Sequence, residues 1–132
     1  MLTTEERREL RSRAVMAAQQ AYAPYSHFRV GAAVLGKDGI YTGANVENAS
    51  LGLSLCAERS ALAAAVVNGD RSIRGIAVAC IDAHETSCTP CGACRQWIQE
   101  LAPKAEILIG QREQVLTAGD LLPRPFSLKP TG

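Results

Sequence analysis

The 132-residue chain carries almost no net charge: fourteen Lys and Arg stand against thirteen Asp and Glu, a formal +1. That leaves no basic field for a polynucleotide and no polybasic patch for a membrane surface. No apolar run approaches the roughly 18 residues that span a bilayer. The opening residues Met1-Leu2-Thr3-Thr4-Glu5-Glu6 lack an apolar core and place acids where a secretory leader has basic residues, so a cytoplasmic location is expected. Internal repeats, low-complexity tracts and interior linkers are also missing. Hydrophobic residues make up 47% of the chain, enough for a real core, and one domain is expected over residues 1–132, with 127–132 as a loose tail. Five cysteines, an odd number, argue against a disulfide framework and for metal binding in a reducing compartment.

Alternating element types point to an α/β sheet covered on both faces. Thr3 to Glu6 reads as a capping box before an amphipathic helix that runs to about Ala21 and ends at Pro24. Arg29 to Leu35 and Ile40 to Asn45 read as paired strands around a Lys37-Asp38-Gly39 turn. Ser54 to Asn68 is apolar on nearly every side, which predicts a buried helix stopped at Asn68-Gly69. Ile73 to Ile81 suits a central strand and Glu106 to Ile109 another, with a short strand near Gln114 to Thr117 and a final turn at Asp120 to Leu122. Thr89 and Pro90 predict a helix N-cap and first helical position, with that helix ending near Leu101.

Chemistry concentrates in Cys56-Ala57-Glu58-Arg59 and Pro90-Cys91-Gly92-Ala93-Cys94. Three thiols plus an acid that need not be a ligand suggest a catalytic zinc site. Three protein ligands leave a tetrahedral position open for water, whose pKa zinc lowers to about 7. Glu58 would then move that water's proton to a substrate. Three thiolates on Zn²⁺ leave a charge of −1, which helix N-termini and the nearby guanidinium groups of Arg59 and Arg95 could offset. A fourth thiol, Cys88, admits a rival reading, a closed four-cysteine structural site. It precedes the expected N-cap, off the helical face of Cys91 and Cys94, and a closed site would leave Glu58 idle. Cys80, in an apolar strand, reads as core. His27 and His84 read as surface loop residues.

Beyond these motifs stand Ala21-Tyr22-Ala23-Pro24-Tyr25-Ser26-His27-Phe28-Arg29-Val30-Gly31-Ala32-Ala33, Gly43-Ala44-Asn45-Val46-Glu47-Asn48-Ala49-Ser50, Arg95-Gln96 after Cys94, and Leu121-Leu122-Pro123 with Phe126. In this order they resemble the small homotetrameric cytidine deaminases. The resemblance implies a three-layer α/β/α sandwich with a five-stranded mixed sheet whose first strand is antiparallel to the rest. It implies one Zn²⁺ per chain on Cys56, Cys91 and Cys94 and Glu58 as proton shuttle; independently of it, Arg59 and Arg95, each close after a ligand in sequence, could donate to the sulfurs or could instead form surface or interface ion pairs. The implied reaction converts cytidine and 2′-deoxycytidine to uridine and 2′-deoxyuridine plus ammonia, in pyrimidine salvage. Asn45 and Glu47 would bind ribose hydroxyls, Ala57 would line the substrate site, Phe28 would pack on the base, and Phe126 would close over it from a neighbouring subunit. Cys88 is not expected in the family pattern, and Leu51 stands where the family often has Tyr. A zinc-stabilised module without catalysis and a deaminase of other aminated heterocycles are the competing readings.

Overall fold

The computed structural model describes residues 1–82 and 88–130. Helix α1 (Thr4–Ala18) starts at the expected capping box: Thr3 Oγ1 accepts from the Glu6 amide at 3.0 Å, and Glu6 Oε1 accepts from the Thr3 amide at 2.9 Å. It ends three residues earlier than the spacing suggested. Strands β1 (Val30–Leu35) and β2 (Ile40–Ala44) form the expected hairpin. A single 3₁₀ turn at Leu51–Leu53 precedes α2 (Ala57–Val67), then come β3 (Gly75–Cys80), α3 (Gly92–Leu101), β4 (Glu106–Ile109), β5 (Val115–Leu116) and α4 (Ala118–Leu121). Residues 127–130 lie in neither helix nor strand, while the last two residues of the expected tail are outside the described residues.

The strands form one mixed sheet in the order β2-β1-β3-β4-β5. β1 runs antiparallel to β2 and β3, β3 parallel to β4, and β4 antiparallel to β5. The expectation that β1 opposes every other strand fails at β5, which returns from β4 antiparallel and so runs in the direction of β1. Side chains alternate across the sheet, as a pleat requires. Ala32, Val34, Ile76, Val78, Ile107 and Ile109 pack with α2 and α3 on one face. Ala33, Leu35, Ala77, Ala79 and Leu108 pack with Leu10 and Ala14 of α1 on the other. Three layers result, with the sheet in the middle.

Two glycines fix how α2 lies. Gly43 of β2 passes so close that an added Cβ would sit 2.4 Å from the Ala61 amide nitrogen and 2.8 Å from the Ala57 carbonyl oxygen. Backbone-to-backbone contact of this kind excludes any side chain. Gly69, at φ +80°, supplies the left-handed residue just past the helix end. The expectation of an all-buried α2 is corrected: Ala57, Glu58, Ala61, Leu62 and Ala65 face the sheet, but Val67 is 82% exposed. Of the α2 residues only Val67, at its C-terminal end, is left fully open among the described residues.

Candidate active site

Both cysteine motifs arrive at helix starts. Cys56 is the N-cap of α2, which puts Glu58 in the first turn. Cys91, and not Thr89 as expected, is the N-cap of α3. The reason is local: Cys91 Sγ accepts from the Cys94 amide at 3.5 Å, the N3 donor of a helix that starts two residues later than expected. Cys94 lies in the first turn of α3 and is buried. The three sulfurs lie within 4.8 Å of one another, and among the described residues they are the one cluster arranged to hold a metal ion. Cys56 Sγ and Cys91 Sγ are 3.8 Å apart. Two sulfurs on one tetrahedral zinc, each at about 2.3 Å, stand roughly 3.8 Å apart. The donor set therefore fits Zn²⁺ in type and spacing, with three ligands and a position left over.

The electrostatics of the cluster are uneven. Hydrogen bonds from the Cys94 thiol and from Arg59 stabilise the Cys56 thiolate and hold its pKa down to about 5, against the opposing effect of burial. The hydrogen bond to Cys56 and burial push Cys94 up, so it keeps its proton in the metal-free site. Arg59 Nη2 donates to Cys56 Sγ at 3.3 Å, which raises the guanidinium pKa further. Arg95 does not support a sulfur here. Its Nε donates to the Pro90 carbonyl at 2.7 Å and its Nη1 to the Leu121 carbonyl at 2.9 Å. It ties the segment before Cys91 to the end of α4. Glu58 is 5% exposed, and burial pushes its carboxyl up to about 7.

A cleft of about 260 Å³ opens over this cluster. Phe28, Asn45, Glu47, Ala57 and Glu58 line it along with Cys56 and Cys91. The polar residues expected to meet a sugar are already at work on the loop that carries Phe28. Glu47 Oε1 accepts from the Tyr25 amide at 3.0 Å and the Ser26 amide at 3.1 Å, and Glu47 Oε2 accepts from the Ser26 hydroxyl. Ser26 Oγ in turn accepts from the Phe28 amide at 3.0 Å. Asn45 Nδ2 donates to the Phe28 carbonyl at 2.8 Å, and Asn45 Oδ1 accepts from the Val30 amide at 2.8 Å. Both ends of the Phe28 backbone are thus clamped. His27, in the same loop, takes φ +58°.

Phe126 stands apart from this cleft and is 73% exposed. Gln96 holds its backbone, donating to the Phe126 carbonyl at 2.8 Å and accepting from its amide at 3.2 Å. Leu51 is also exposed. His84 lies outside the described residues. Ser26 carried no signal in the sequence for the link it makes between Glu47 and Phe28. The sequence also hid a pairing: Cys80 and Cys88 are joined in a disulfide. The expectation of unpaired cysteines fails there, while Cys80 is half-buried, packed against the core cluster and lining the cleft wall. The pairing also removes Cys88 from any closed four-cysteine site.

Comparison with known proteins bears on this geometry. The family described as the cytidine and deoxycytidylate deaminase zinc-binding region matches residues 4–110. The chain is 43% identical over 127 residues to the cytidine deaminase of Halalkalibacterium halodurans, covering 92% of this chain and 95% of that one. It is 46% identical over 120 residues to that of Mycobacterium tuberculosis, covering 90% and 88%. Among solved structures, the Burkholderia pseudomallei cytidine deaminase superposes with a TM-score of 0.82 at 44% identity, covering 95% of this chain and all of that one. The Mycobacterium tuberculosis structure gives 0.80 at 40%, covering 93% and 98%.

Proposed function

The chain belongs to the zinc-binding cytidine and deoxycytidylate deaminase family, and on that premise we propose that it hydrolyses cytidine, and 2′-deoxycytidine with it, to the corresponding uracil nucleoside and ammonia. The observation that carries this reading is the buried Glu58 carboxyl beside three gathered cysteine sulfurs in a cleft lined by Phe28, Asn45 and Glu47. Held by Cys56, Cys91 and Cys94, Zn²⁺ supplies Lewis-acid activation of water at neutral pH.

The residues of the chain do the rest. Glu58, with a carboxyl that titrates near neutrality, is suited to both directions of proton transfer. It takes one proton from the attacking water and delivers it to N3 of the cytosine ring, then carries the second, from the hydroxyl added at C4, to the departing amino group. Oxygen from water replaces nitrogen at C4, and ammonia leaves. Arg59 keeps the Cys56 sulfur anionic and in place. Phe28 offers its ring to the pyrimidine. Asn45 and Glu47 retain capacity for sugar hydroxyls. A carboxylate has about four acceptor positions, and Glu47 has three donors on it. The Asn45 amide likewise has one N–H and one lone pair to spare.

We read the enzyme as a homotetramer of one-domain chains, located in the cytoplasm, with each cleft completed by Phe126 of a neighbour. Phe126 cannot serve its own cleft while Gln96 holds it elsewhere. Among the described residues no helix is long and apolar enough to cross a membrane. The deciding experiment is to incubate zinc-loaded protein with cytidine and follow the ultraviolet change to uridine, with ammonia counted independently. A fully metallated protein that leaves cytidine untouched would point to a structural zinc module.

A further inference from the structure

Four of the five cysteines in the chain line one cleft, and two of them have no place in the metal cluster. Cys80 is the last residue of β3, which antiparallel pairing with Val30 holds in the sheet. Cys88 lies eight residues on and three before the ligand Cys91. Their Cα atoms are 5.6 Å apart, inside the usual range of about 4.4–6.8 Å for a bridged pair. Cys88 is almost fully buried, and Cys80 is half-buried with its open side on the cleft.

We propose that Cys80 and Cys88 form a reversible redox site in the cleft wall, whose oxidised state holds that wall in shape for the nucleoside.

The placement supplies the reasons. The other three thiols are committed to zinc, so mild oxidation falls on this pair alone. The bond anchors the segment that carries Thr89, Pro90 and Cys91 to the end of a central strand. The Arg95 contact to Pro90 and the burial of Cys88 and Pro90 also hold that segment. Disulfides in a reducing compartment are mostly transient or sensing, so a bridged pair at a functional cleft fits a switch better than a scaffold. The exchange partner is a low-molecular-weight thiol. Two thiols RSH reduce Cys80–S–S–Cys88 to two cysteine thiols and leave as RSSR, and the reverse reaction restores the bond. Because the sulfurs are reached through the cleft, a nucleoside bound there shields them.

The proposal rests on the deaminase reading only for its kinetic readout. Zinc-loaded protein is poised across ratios of reduced to oxidised glutathione, alkylated, and mapped by peptide mass spectrometry, with zinc counted at each poise. One reversible Cys80–Cys88 link is expected with zinc retained throughout. On reduction KM for cytidine should rise about three- to tenfold, since loosening a preformed wall weakens binding. kcat should hold, because Glu58 and the ligands sit on α2 and α3. Saturating uridine should slow reduction of the bond. Cys88→Ser should show the reduced-state KM at every poise, and the wild-type titration decides the matter if that variant folds badly. Failure to find the link at any poise overturns the proposal, as does a link whose breaking changes neither KM nor uridine affinity. Absence of turnover in both states would instead fall on the deaminase reading, with uridine affinity and the mapped bond still deciding this one.

Discussion

Burial sets the behaviour of Glu58. Its carboxyl is pushed up to about 7 in the metal-free structure, against 4.5 when exposed. Between those values the native state holds a proton that the unfolded chain has released. Stability contributed by Glu58 is therefore whole below 4.5 and is lost as pH rises through 7. At about 1.4 kcal/mol per unit, the difference is on the order of 3 kcal/mol. Chemical denaturation of metal-free protein should show Glu58→Gln gaining stability over wild type across that window, and equal slopes for the two would refute the assignment. In the zinc-loaded enzyme the same variant should keep its metal and lose about 10²- to 10⁴-fold in kcat. Ser26 tests a different link. Its hydroxyl joins the Glu47 carboxylate to the Phe28 amide. Breaking that solvent-exposed link loosens the Phe28 loop, so Ser26→Ala should raise KM about two- to fivefold with kcat and zinc unchanged. Ser26→Thr should recover most of the loss, and steady-state kinetics on the three proteins decides it.

At the scale of elements, turns and helix starts are held by buried polar atoms. Asp70 accepts from the Lys37 amide at 3.0 Å, the Asp38 amide at 2.7 Å and the Tyr41 hydroxyl at 3.0 Å. These donors, the Asp38 amide first, hold its pKa below the usual carboxylate value, so its contribution fades as the medium turns acidic. Asp70→Ala orphans several donors at the β1–β2 turn and should cost about 3 kcal/mol in urea denaturation. Gly43→Val should push α2 off the sheet, displace Cys56 and Glu58, and lower zinc content measured by metal analysis. The hairpin and α1 were legible because each has a local signature, the Lys37-Asp38-Gly39 turn and the Thr3–Glu6 box. β3 was legible because six nearly apolar residues have only the sheet centre to go to. The N-cap of α3 was not, since a sulfur taking an amide looks like nothing in the sequence until Cys94 is placed beneath it. The direction of β5 was hidden because a two-residue strand carries no directional signal. The Cys80–Cys88 pairing was hidden because it depends on how β3 and the start of α3 come together. The carboxylate and sulfur cluster itself was readable, because the spacing of Cys91 and Cys94 and the nearness of Cys56 to Glu58 are helical facts.

A single chain leaves much apolar surface open. Leu51 is 71%, Leu53 72% and Val67 82% exposed, alongside Phe126 at 73%. Large apolar side chains left this open mark contact sites, and closed symmetric assemblies are the usual way to cover them. Native mass spectrometry should find a tetramer, and Val67→Glu should break it into smaller species. Sharing of clefts has its own test. Glu58→Ala and Phe126→Arg chains, each inactive alone, should regain part of the activity when co-assembled, because some clefts then receive an intact Glu58 from one chain and Phe126 from another. Hybrids on a native gel without recovered activity would count against shared clefts.

Cys56 and Cys91 are thirty-five positions apart, yet their sulfurs lie 3.8 Å from each other. Their meeting closes a ring of chain, and β3, the middle strand of the sheet, is part of that ring. A metal seated there is a staple on the folding polymer as well as a reagent. Closing a loop of this length removes about 4 kcal/mol of entropy from the unfolded chain. Chelation should therefore lower Tm by on the order of 10 °C, and protease should enter between α2 and α3. Scarcity of zinc would then act on how long the protein survives as well as on how fast it works.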